Sequence, residues 1–68
     1  MRLNKIIHKL LKTLDIPQNV LAEMLGVSQA TISFWANNKL HLSYENYLKL
    51  RKFCDKHGIN DRIEGRFQ

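Results

Sequence analysis

One cysteine, one proline and three glycines are all that the 68 residues hold of the types that most often interrupt or cross-link a fold. With Cys54 alone, no internal disulfide can form, so the framework must be packed rather than stapled. No apolar run approaches the ~20 residues needed to span a bilayer, and no secretory signal pattern opens the chain. A cytoplasmic location without a membrane partner is therefore expected. Acidic residues are scarce: six Asp and Glu against eleven Lys and Arg leave a net charge of +5. That balance favours a polyanionic partner. The length permits one domain, residues 1–68, near the lower limit for a single hydrophobic core. It leaves little room for an active-site cleft or an effector domain, so no enzymatic activity, cofactor or small-molecule ligand is expected.

Charge is also missing from the middle of the chain. Residues 1–14 carry Arg2, Lys5, Lys9 and Lys12 with no acid, and residues 49–56 carry Lys49, Arg51, Lys52 and Lys56 against Asp55. Between residues 16 and 44 only Glu23 and Lys39 are charged. Two basic segments thus flank a neutral centre.

The apolar pattern is helical throughout, with no strand-like alternation. Leu3, Ile6, Ile7, Leu10, Leu11 and Leu14 recur at helical spacing and predict a first helix, which Asn4 could cap in a shorter version. Asp15-Ile16-Pro17 ends it, because Pro17 disfavours the α conformation at Ile16 and is well placed to open the next helix. Residues 18–25 form a short second helix with Leu21, Ala22, Met24 and Leu25 available for burial, closed by Gly26. Ser28 is the expected N-cap of a third helix that ends at Asn37-Asn38, where Asn tolerates a left-handed terminus. Lys39 to Leu42 is a connecting loop. Ser43 caps a fourth helix running to about His57, with Tyr47, Leu50, Phe53 and Cys54 as its buried stripe and Gly58 as its stop. In the tail, residues 59–68, Ile59, Ile63 and Phe67 repeat every four residues, with Asn60 a candidate cap for one short turn. These three either close the core over the first helix or form part of a two-fold interface.

Adjacent aromatics in the third helix pose a sharper constraint. Phe34 and Trp35 point about 100° apart on a helix and cannot both enter one core. Ile32, Trp35 and Ala36 fall on one side, whereas Ala30, Phe34 and Asn37 fall near the opposite side, with Thr31 and Ser33 at the margins. Placing Trp35 inside puts Phe34 outside, on a face with no charge.

The stretch from Gln18 to Trp35, and "LAEMLGVSQATISFW" within it, resembles the helix-turn-helix of the phage repressor and Cro family. The resemblance places Gln18 at the start of the first motif helix, Ala22 where the two helices cross, Gly26 at the turn, and Ile32 and Trp35 as the residues that lock the second helix. It extends over about residues 3–60, with the motif at about 18–37. The fold it implies is all-α, a four- or five-helix lambda-repressor-like bundle. The function it implies is sequence-specific binding of a double-stranded DNA operator by the helix at 28–37, as a Cro-like repressor of phage or bacterial type that forms a homodimer on DNA.

Gln29, Ala30, Ser33 and Phe34 are then the candidate base-reading residues. Gln can bond an adenine bidentately, and Ala or Phe can pack on a thymine methyl. Backbone contacts are expected from Gln18, Ser28, Thr31, Asn37, Lys39, His41 and Tyr44, while the lysines of the first and fourth helices add attraction and steering. Phe34 stands where the family commonly has an arginine, Ala36 where it has an acid, Pro17 where it has a Thr cap, and Arg51 at a position often small. The rival reading is a protein-interaction module, an antirepressor or antitoxin-type protein, that docks a partner through Phe34. Cys54, His57, His41 and His8 do not converge in a ligand pattern, and a buried cysteine with surface histidines is favoured over a metal site.

Overall fold

A computed structural model of the chain describes residues 1–37 and 42–64. Among them, four helices and no strand form: α1 (Leu3–Leu14), α2 (Gln18–Leu25), α3 (Gln29–Ala36) and α4 (Tyr44–Lys56). The molecule is all-α. α3 packs against both α1 and α2, and α2 also touches α4.

The α1 stripe is buried at Leu3, Ile6, Ile7 and Leu10, with Leu11 and Leu14 packed half-buried at its edge. The helix starts ahead of Asn4, because the Leu3 amide donates to the carbonyl of Glu64 at 3.1 Å and needs no side-chain cap. Asp15 ends α1 in the left-handed region at φ 53°, which a short polar side chain tolerates. In α2, Leu21, Ala22 and Leu25 go inside, but Met24 is 49% exposed. Its position lies about 100° from the centre of the arc those three define. Gly26, at φ +75°, ends this helix; the space around it is open, so the backbone angle is what calls for glycine.

Ser28 and Ser43 cap α3 and α4 as expected, each Oγ accepting from the amide three residues on, Thr31 and Asn46, at 3.1 Å. Asn37 departs from expectation: at φ −103°, ψ 7° it is not left-handed. Its Nδ2 instead donates to the Ser33 carbonyl at 2.8 Å, which closes the helix end locally. Asn38 lies outside the described residues. On α4, Leu50 and Cys54 are buried while Tyr47 and Phe53 are only half-buried. Burial also pushes the Cys54 thiol above its ordinary range, the Arg51 charge opposing this only in part. Leu42, read from sequence as part of a loop, is fully buried.

The tail takes one of its two expected roles and not its expected shape. Ile59 and Ile63 enter the core, whereas Phe67 lies outside the described residues. No helix forms over 59–64, so Asn60 caps nothing. The reason is Arg51, whose guanidinium donates to the Ile59 carbonyl at 2.6 Å, the Asp61 carbonyl at 2.7 Å and the Asp55 carboxylate at 3.1 Å. A backbone outside any helix leaves these carbonyls free for that fork, as a helix would not. Lys9 meets Asp61 at 2.5 Å, and its hydrogen bond holds the Asp61 carboxyl below the ordinary range. The Glu64 amide donates to the Met1 carbonyl at 2.8 Å, completing a short parallel bridge at Arg2.

Replacing Arg51 with Met should lower stability in urea by about 1 to 3 kcal/mol, because two buried-side carbonyls lose a charged donor. Arg51→Lys should recover little, since a point charge cannot span both carbonyls. Full recovery by lysine would mean that charge, not the fork, holds the tail.

Candidate nucleic-acid interface

α3 has only eight residues, and Ile32, Trp35 and Ala36 are buried at 0, 2 and 5% exposure. That fixes its rotation. On a 100° wheel the outward arc is centred on Ala30, Asn37 and Phe34, with Ser33 at one margin and Thr31 at the other. Gln29 and Ala30 are exposed, Ser33 and Thr31 are half-buried, and Phe34 keeps 43% of its surface open. Of the four candidate base-reading residues, Ala30, Ser33 and Phe34 therefore lie on one uncharged face, while Gln29 is exposed at the first position of the helix, on the wheel beside Ala36.

The candidate backbone contacts divide into three groups. Gln18 is half-buried at the first position of α2, where Pro17 supplies no side-chain cap. The first intrahelical bond there is from Leu21 to Pro17, which leaves the amides of Gln18, Asn19 and Val20 without a helical acceptor and with the positive end of the helix dipole. Tyr44 is 63% exposed at the start of α4 and stacks on Tyr47, ring centroids 6.1 Å apart. Ser28, Thr31 and Asn37 already have local work. The Ser28 and Thr31 hydroxyls lie 2.8 Å apart within the N-cap, and Asn37 closes the other end of the helix. Lys39 and His41 lie outside the described residues.

One contact was not legible in the sequence. His8 Nε2 lies 3.2 Å from the Ala36 carbonyl, so α1 caps the C-terminus of α3 from 28 residues away. Only a histidine on the polar flank of α1 hints at it. Both ends of the short helix are thereby tied. The turn before it is closed by the Gly26 amide on Glu23 at 3.2 Å and the Val27 amide on Ala22 at 3.0 Å. Among the described residues no group of His, Cys, Asp and Glu is arranged to hold a metal, and no helix is long and apolar enough to cross a membrane.

A helix-turn-helix family model matches residues 7–58, about three quarters of the chain, and covers α2, α3 and α4 whole and most of α1. The chain belongs to the helix-turn-helix family of Cro and repressor type. It is accordingly a DNA-binding protein of a regulatory family. No curated protein and no solved structure matches it.

Ser28→Ala should destabilise the domain by about 1 kcal/mol, with Ser28→Gly losing only a few tenths. Chemical denaturation of the two variants checks this. Equal losses would show that the Thr31 amide gains nothing from the Ser28 hydroxyl.

Proposed function

We propose that the protein is a Cro-like transcriptional repressor that lays α3 in the major groove of an operator as a homodimer, in the cytoplasm of a bacterial host. The observation that carries this reading is the uncharged outward ridge of a helix whose other side is fully committed to the core. A ridge of helical width fits the major groove, and its groups are of the kinds that read base edges. Gln29 offers an amide for adenine, Ala30 and Phe34 offer apolar surface for a thymine methyl, and Ser33 offers a hydroxyl. The site it reads is therefore A·T-containing.

Register comes from the backbone contacts. The free amides at Gln18 bind one phosphate, and Tyr44, Lys39 and His41 bind others beyond the far end of α3. Ser28, Thr31 and Asn37 contribute from their capped positions, a hydroxyl or amide retaining acceptor or donor capacity after one bond. The lysines of α1 and α4 supply salt-sensitive attraction without sequence information. Occupying an operator that overlaps a promoter would exclude polymerase, which requires neither catalysis nor an effector.

Selection from a random duplex library, with affinity followed against salt, tests the reading. Enrichment of a two-fold-symmetric motif with half-sites about ten base pairs apart is expected. On that motif Phe34→Ala should relax one base pair by about 1 to 3 kcal/mol and leave the rest unchanged. A uniform loss across sequences would instead make Phe34 a packing residue or a protein-docking one.

A further inference from the structure

Away from the α3 ridge, the last turn of α2 and the C-terminal half of α4 enclose a shallow groove of about 270 Å³ lined by Met24, Leu25, Phe53, Lys49, Lys52 and Lys56. We propose that this groove docks an acidic amphipathic helix of a partner protein. The floor is apolar and held in place: Leu25 is buried, and the Phe53 ring rests on His57 with centroids 4.4 Å apart. Met24, 49% exposed at the mouth, adds a flexible apolar lip that can repack against a visiting side chain. Nothing in the fold requires a large apolar residue there.

The rim identifies the visitor. Its charged members are all lysines, and none of the three is in an ion pair with a carboxylate of the described residues. Positions 49, 52 and 56 lie on one flank of α4 and spread their charges over about 10 Å of helix axis. A row of that length matches carboxylates repeated along a helix flank better than a single anionic head group. An apolar floor beside such a row fits a helix carrying apolar residues at i, i+3 or i+4 and i+7 with Asp or Glu alongside. A second copy of this chain is a poor occupant: it brings another +5 charge, its Asp55, Asp61 and Glu64 are engaged with Arg51, Lys9 and the N-terminal amine, and Asp15, Glu23 and Glu45 stand singly at the end of α1, on α2 and on α4 rather than in a row.

The proposal does not depend on the operator reading. Met24 lies about 9 Å along α2 from Gln18, so a partner seated in the groove leaves the N-terminus of α2 free.

The probe is a synthetic peptide of about 15 residues with Leu and Phe on one helical face and Glu beside them, long enough to form a helix once bound. It is titrated into the full chain, with backbone amide shifts read by NMR. Shifts centred on Met24, Leu25 and Phe53 are expected. The double reversal K49E/K56E and the single change M24D should each weaken binding about tenfold or more. All three positions are exposed, so circular dichroism should report an unchanged fold. Duplex binding by Met24→Asp should stay at the wild-type level. A scrambled peptide of the same composition that binds equally well would overturn the proposal, because charge alone would then explain the affinity. Two other outcomes overturn it as well: shifts confined to the Phe34 face, or phosphatidylglycerol vesicles perturbing the groove where the peptide does not.

Discussion

Everything on the exposed side of α3, the face proposed to meet DNA, depends on the burial of Trp35 and Ile32. Isolated helices shorter than about 12 to 15 residues are marginal in water, and α3 has eight. Its existence therefore rests on tertiary packing: complete burial of a large apolar side chain is worth about 1.5 to 3 kcal/mol, and α3 contributes two such residues against α1 and α2. The same burial determines which way the helix faces. Turning Phe34 inward would mean a rotation of about 100° that brings Trp35 out. The exposed phenyl ring is thus a consequence of the core as much as a feature of the surface. Ser28 and His8 then fix the two ends, so the ridge is held in rotation by its apolar side and along its axis by its caps.

The remainder of the structure keeps that packing closed in a chain barely large enough to have a core. The described residues bury no polar or charged side chain, so polar groups work at the edges. There they tie the tail across α1. Ion pairs such as Lys9 to Asp61 and the N-terminus to Glu64 involve groups about a third or more exposed, and such pairs are worth little individually. Ile59 and Ile63 provide the larger share by covering the core, and Arg51 holds their backbone at the required height through two carbonyls. The arginine at position 51 becomes intelligible once the tail is non-helical and offers it two carbonyls.

Local order was readable from the sequence because its signals are local. The α1 stripe, the serine caps at Ser28 and Ser43 and the glycine stops at Gly26 and Gly58 each involve residues within four positions of one another, and each is present in the fold. The inward and outward sides of α3 were readable for the same reason. What was not readable joins distant parts of the chain. His8 reaches Ala36, Arg51 holds the Ile59 and Asp61 carbonyls of a non-helical tail, and Glu64 replaces Asn4 as the partner of the first amide of α1. Met24 illustrates a second limit: an apolar residue at the edge of a helical stripe goes in or out according to the neighbour that faces it.

The distribution of charge separates the two surfaces. Cations on a reading helix raise affinity for any duplex, because phosphate attraction is sequence-independent and salt-dependent. If α3 is the reading helix proposed above, its neutrality in a chain of net +5 leaves discrimination to amide, hydroxyl and apolar groups. The lysines at the far end of α4 are poorly placed to add to it. Lys56 stands about 18 Å along the helix from Tyr44, more than twice the Debye length of about 8 Å at physiological salt, so it would add only weak, screened attraction to a phosphate at the contact proposed for Tyr44. Lys49 is closer, but with Lys52 and Lys56 it flanks Met24 and Phe53 rather than α3. Three cations with no ion pair among the described residues, beside an exposed apolar lip that the core does not need, fit a second, acidic partner as well as long-range steering toward a duplex.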